Sequence, residues 1–228
     1  MNNKEVSASL AGKVSLGGEL SVHRLGFGAM RLTGEGIWGP PKDRKAALAV
    51  LRRAVELDVQ FIDTADSYGP HTSEELIAEA LFPYPAGLVI ATKGGWNRPG
   101  PNQWTHDATP AHLRDAVEGS LKRLRLERID VYQLHIPDPV VSFDASVETL
   151  AKLRSEGKIR LDRSRCCTRR HRCDEHSGTG AHVRCGSLLF DQRRSCSKRL
   201  FRPRGSSCRG KARNSCTGDE HDLSRKLP

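Results

Sequence analysis

Along the first 160 residues the apolar positions recur in two registers, short β-branched runs and longer stretches with helical spacing, and the alternation predicts the elements. RLGFGAMRL (24–32) reads as a strand. DRKAALAVLRRAVELDV (43–59) follows as a helix, with Ala47, Val50, Leu51, Ala54, Val55 and Leu57 near one side. QFIDTAD (60–66) is strand-like, and TSEELIAEALF (72–82) opens with a Ser/Thr cap and two acids, the preference of a helix N-terminus. GLVIATK (87–93) reads as a buried strand. TPAHLRDAVEGSLKRLRL (109–126) is a helix with a Thr cap and Pro at its first position. IDVYQLHI (129–136) is a further strand and SFDASVETLAKLRSEGKI (142–159) a further helix.

Four strand-then-helix units in succession predict an α/β protein with a parallel sheet covered by helices. No GxGxxG follows any of the strands, which favours a (β/α)8 barrel over a dinucleotide-binding doubly wound sheet. In a barrel the chemistry lies at the C-terminal ends of the strands.

Charge and cysteine content divide the chain rather than characterise it. Residues 1–160 hold 20 Lys+Arg and 20 Asp+Glu, whereas residues 161–228 hold 17 and 7, so the formal net charge of +10 falls in the last 68 residues. All seven cysteines fall there too. A cysteine-free body without an apolar leader or a long apolar run fits a cytoplasmic protein that does not enter a membrane. Residues 1–19 read as a polar lead-in, flexible or folded into a small hairpin.

Polar side chains gather at the predicted strand ends: Asp63, Asp66 and Tyr68 in DTADSYG, Lys93 in ATKGGW, and His135 in QLHIPD. Singly, each has an ordinary explanation as a helix cap, a surface charge or a core histidine. Together they have a chemical use. Lys93 ends an apolar run and would be costly to bury without an acid such as Asp63. An ammonium beside a tyrosine favours the phenolate, which makes the phenol a workable proton donor near neutral pH.

These motifs resemble the aldo-keto reductases. The resemblance covers residues 20–160 and rests on FIDTADSYG, SEELIAEAL, VIATKGG, LKRLRLERIDVYQLH and LAKLRSEGKIR, while GAMRLTGEGIWGPP is similar to the bacterial branch that includes pyridoxal reductase. It implies a (β/α)8 barrel that reduces a small aldehyde or ketone with NADPH and needs no metal. It further implies Tyr68 as general acid, Lys93 and Asp63 as the pair that tunes it, and His135 as the residue that orients the carbonyl. Gly28, Ala29, Met30 and Arg31 match the segment that lies against the nicotinamide, and Trp38 and Trp96 are expected as walls of the substrate pocket.

After GKIR the family continues into a fifth strand of the form xIGxS and further strand–helix units that grip the cofactor phosphates. Here LDRSRCCTRRHRC follows, so only the first four units are expected and the chain alone is expected to be inactive. Residues 161–228 carry few large apolar side chains and no sustained period, which predicts disorder. A shift of reading frame near codon 160 accounts for this tail: with permitted codons, LDRSRC read one nucleotide later becomes Trp-Ile-Gly-Leu-Asp-Val. The competing reading is a decayed reductase half that serves as scaffold for a basic tail. That tail would bind nucleic acid, or zinc through Cys166, Cys167, Cys173, His176, His182 and Cys185; its charge fits the first, but few aromatics and no CxxC spacing argue against both.

Overall fold

The computed structural model describes residues 6–164. The expected disorder, frameshift, zinc ligands and basic arm beyond Ser164 lie outside the described residues.

Of the two readings for the N-terminal segment, the structure shows the hairpin: after a 3-10 turn, β1 (Lys13–Leu16) pairs antiparallel with β2 (Leu20–His23). Gly17 and Gly18 at its tip have φ of 60° and 77°, a conformation that costs glycine nothing. The boundary expected at residues 19 and 20 therefore cuts through a single supersecondary unit.

The strand expected over 24–32 is shorter. Only β3 (Phe27–Gly28) pairs, and Ala29–Leu32 turns as a 3-10 helix. Then come α1 (Arg44–Glu56), β4 (Phe61–Asp63), α2 (Thr72–Leu81) and β5 (Val89–Gly94). A small antiparallel hairpin, β6 (Trp96–Asn97) and β7 (Thr105–His106), precedes α3 (Pro110–Leu124), β8 (Ile129–Leu134), α4 (Phe143–Ser155) and β9 (Ile159–Ser164). Strands β3, β4, β5, β8 and β9 form one parallel sheet in chain order.

β9 corrects two expectations. The fourth helix stops at Ser155 rather than 159, and order does not end at 160, because Ile159–Ser164 lies in register beside β8 as a fifth strand. Strand pairing uses backbone groups, so an arginine-rich stretch can join a sheet wherever its alternate residues fit. Leu161 does fit: it is 9% exposed and packs with Val89, Ala91 and Val131.

Helix ends follow local chemistry. Asp43 Oδ1 accepts from the Ala46 amide at 2.9 Å at the start of α1, and Thr109 Oγ1 accepts from the His112 amide at 3.3 Å at the start of α3. α2 departs from the expected Ser/Thr cap. His71 is its N-cap without a side-chain bond, and Ser73 lies inside the first turn with its hydroxyl against that of Thr64 at 2.8 Å.

The sheet has two apolar faces. On the outer face Ile62 and Ile90 pack beneath α1 and α2 with Leu51, Leu76, Ile77 and Leu81. Farther along, Tyr132 and Leu134 pack with Leu113, Val117, Leu150 and Leu153 of α3 and α4. On the inner face Val89, Ala91, Val131 and Leu161 meet Leu16, Leu20 and Val22 of the hairpin, which covers one end of that face. Among the described residues no helix is long and apolar enough to cross a membrane.

Candidate active site

Beyond that inner apolar layer the same face turns polar. Register fixes the arrangement: Gly28 lies opposite Asp63, Asp63 opposite Ala91, and Lys93 opposite Gln133. Strand alternation thus brings Asp63, Lys93 and Gln133 to one face at the C-terminal ends of three strands.

The lysine is 2% exposed and satisfied on all sides. Its Nζ donates to Asp63 Oδ2 at 2.8 Å, to the Thr64 carbonyl at 2.7 Å and to the Tyr68 phenol oxygen at 3.4 Å. Gln133 Nε2 donates to the other oxygen of Asp63 at 3.2 Å, so the carboxylate is held from both sides. Tyr68 is nearly buried, and the ammonium also lies 5.0 Å from the centre of its ring. His135 follows β8, where its amide donates to the Gly94 carbonyl at 2.9 Å and extends the ladder. Its ring meets that of Tyr68 edge to face at 5.7 Å, and Nδ1 lies 3.5 Å from Ser67 Oγ. The four expected residues therefore converge, with Gln133, Ser67 and the Thr64 carbonyl as supports.

The expected cofactor segment lies beside them. Gly28 is exposed, and a Cβ there would meet open space, so a planar ligand could approach the backbone next to the Lys93–Asp63 pair. Met30 and Arg31 are exposed as well. Ala29 is fully buried and accepts a bond from Ser73 Oγ through its carbonyl, so it shapes the turn. Trp96 reaches the site from β6, its ring 6.4 Å from that of His135 and 4.4 Å from that of His106. Trp38 is tied to the Tyr68 loop by a parallel bridge to Gly69.

Asp66 takes no part in this cluster. It lies in the protein interior, where burial first and the Glu74 carboxylate second push its pKa up to about 8 against the lowering effects of Arg123 and Ser67. Glu74, fully buried, accepts from Arg123 Nε at 2.7 Å and from Thr92 Oγ1 at 2.5 Å. Sequence reasoning missed Gln133, although the alternation of IDVYQL places it two residues from Val131 and on the same face. It also missed Trp104 and Arg98, the latter reaching carbonyls of Gly36, Ile37 and Ser67 far away in the chain.

No group of three or more His, Cys, Asp or Glu suited to a metal occurs among the described residues.

Comparison with known proteins agrees with this fold. The aldo/keto reductase family model matches residues 24–161. An uncharacterized oxidoreductase of Schizosaccharomyces pombe is 52% identical over 155 residues, covering 68% of this chain and 50% of that protein. Pyridoxine 4-dehydrogenase of Escherichia coli is 42% identical over 149 residues, or 63% of this chain and 52% of that enzyme. Among solved structures, the glycerol dehydrogenase of Gluconobacter oxydans superposes with a TM-score of 0.61 at 33% identity, covering 68% of this chain and 48% of that one. An aldo-keto reductase of Klebsiella pneumoniae, solved in complex with NADPH, gives 0.54 at 26% identity over 67% of this chain and 48% of its own.

Sheet topology and solved neighbours thus place the described residues with the (β/α)8 barrels of aldo-keto reductase type. The chain belongs to the aldo/keto reductase family, and it spans about half the length of the curated relatives it matches.

Proposed function

We propose that this site is the proton-donating centre of an NADPH-dependent reductase that converts a small aldehyde or ketone to an alcohol. The observation that carries the reading is the Tyr68 hydroxyl 3.4 Å from a lysine that is itself buried against Asp63. Tyr68 gives its proton to the carbonyl oxygen. The Lys93 ammonium stabilises the phenolate left behind, and Asp63, steadied by Gln133, holds the ammonium in place. His135 orients the carbonyl, and Trp38 and Trp96 wall the pocket. NADPH, bound along Gly28, Met30 and Arg31, would supply the hydride; the exposed backbone at Gly28 suits it, and the Klebsiella relative was solved with NADPH.

The chain on its own does not turn over in this reading, because its match covers only about half of each relative and the cofactor needs more grip than this segment offers. A cysteine-free body suits the cytoplasm. To test the reading, residues 1–164 are joined to the portion of Escherichia coli pyridoxine 4-dehydrogenase that this chain does not match, and the fusion is assayed beside the full chain. The fusion should oxidise NADPH when an aldehyde is added, and the full chain should not. An inactive but folded fusion would refute the site reading, and turnover by the full chain would refute the dependence on a second half.

A further inference from the structure

Arg98, just past β6, is a heavily engaged cation that the proton-transfer scheme leaves unused. Only 9% of the residue is exposed, and its guanidinium is spent on backbone carbonyls from three separate segments. Nε donates to Gln103 at 2.9 Å, Nη1 to Ile37 at 3.0 Å and Ser67 at 2.9 Å, and Nη2 to Gly36 at 3.0 Å. The same planar group lies 3.6 Å from the centre of the Trp104 ring and 5.6 Å from that of Trp38.

The segments it joins are those that build the site. Gly36 and Ile37 belong to the loop after β3 that carries Trp38. Ser67 precedes Tyr68, and Gln103 and Trp104 belong to the connection between β6 and β7. Ile37 has φ of 56°, a left-handed conformation that a β-branched residue holds only when its surroundings impose it. Its carbonyl accepts from both Arg98 and the Gly69 amide, the latter at 3.2 Å, which clamps this loop to the far side of Tyr68 as well.

We propose that Arg98 is a positioning residue that locks the Trp38 loop, the Tyr68 loop and the β6–β7 hairpin into one wall, fixing where Tyr68 and the tryptophans stand relative to the reacting carbonyl. Its catalytic consequence rests on the reductase reading, whereas the clamp itself does not. A lysine cannot replace it, because one ammonium on a flexible stem matches neither the four-carbonyl fork nor the flat stack on Trp104.

All three tryptophans of the chain, Trp38, Trp96 and Trp104, lie in this cluster, with Trp96 and Trp104 edge to face at 5.7 Å. The tryptophan bands of the near-ultraviolet circular dichroism spectrum and acrylamide quenching of tryptophan fluorescence in the full-length protein therefore report on this wall. The far-ultraviolet spectrum and melting curve read the fold. Arg98→Lys and Arg98→Ala are each expected to lose the near-ultraviolet tryptophan bands while keeping the far-ultraviolet spectrum. Quenching should rise about 2-fold once the guanidinium no longer covers Trp104. Should Arg98→Ala fail to fold, Arg98→Lys decides. Wild-type bands and quenching in a folded Arg98→Lys protein would overturn the proposal. That failure leaves the fusion assay untouched, and an inactive fusion leaves the tryptophan signature untouched, so the two claims fall separately.

Discussion

Two ion pairs, each with a buried member, lie on opposite faces of one sheet, and the proposed chemistry uses only one of them. On the inner face Lys93 meets Asp63; on the outer face, under α2 and α3, Glu74 meets Arg123. Asp63 keeps 36% of its side chain exposed and its lysine touches the hydroxyl of Tyr68, so the pair opens onto a proton carrier. Glu74 is fully enclosed, and its second oxygen is taken by Thr92. Burial of charge alone therefore does not suit a pair to the proposed proton transfer; an open side and a titratable neighbour do.

The contrast predicts the largest stability change on the outer face. Arg123→Ala strands Glu74 without a counter-charge and should cost about 3–5 kcal/mol, read by urea unfolding. Replacing both partners together, as Glu74→Gln with Arg123→Met, should recover part of the loss, because two neutral groups leave no orphaned ion. On the inner face the order reverses: in the active fusion Lys93→Met should lower kcat by about 10²-fold or more. Its effect on the unfolding midpoint should be smaller than that of Arg123→Ala, since solvent reaches Asp63 and screens it.

A subtler difference concerns pH. The native-state pKa of Asp66, about 8, stands above its ordinary 3.8, so between these values the folded chain holds a proton that the unfolded chain releases. Stability from this group is complete below the ordinary value and falls as pH rises towards 8. His71 runs the other way: burial lowers its pKa from 6.5, so its contribution is lost on acidification below that value. Denaturant midpoints should therefore decline from pH 6.5 to 8, and Asp66→Asn should flatten that decline. The smallest effect belongs to the surface. Arg114 and Glu156 bond at 2.7 and 2.9 Å between α3 and the end of α4, yet Arg114→Ala should leave the midpoint unchanged within error at physiological salt.

The legible parts of the molecule were those with local causes. β5 and β8 are betrayed by VIAT and IDVYQL, α3 by its Thr-Pro start, and the four site residues by their places at strand ends. The strand–helix alternation located the sheet, and the sheet brought Asp63 to Lys93. What stayed hidden depends on distant partners. Glu74 read as a helix-dipole acid because nothing near it announces Arg123, 49 residues away. Arg98 went unremarked because its partners are backbone carbonyls, which carry no side-chain signature. β9 was missed for a third reason: its composition follows the arginine-rich tail, while its place depends only on backbone pairing and on Ile159 and Leu161.

The most direct test of the proton-donor assignment is the kcat for NADPH-dependent aldehyde reduction by the active fusion carrying Tyr68→Phe. The substitution removes one oxygen atom and keeps the ring against His135 and Lys93. A fall of about 10²- to 10⁴-fold with little change in melting temperature is the predicted result. A rate within about 2-fold of the unsubstituted fusion would contradict it, because such a change is far smaller than a general acid contributes.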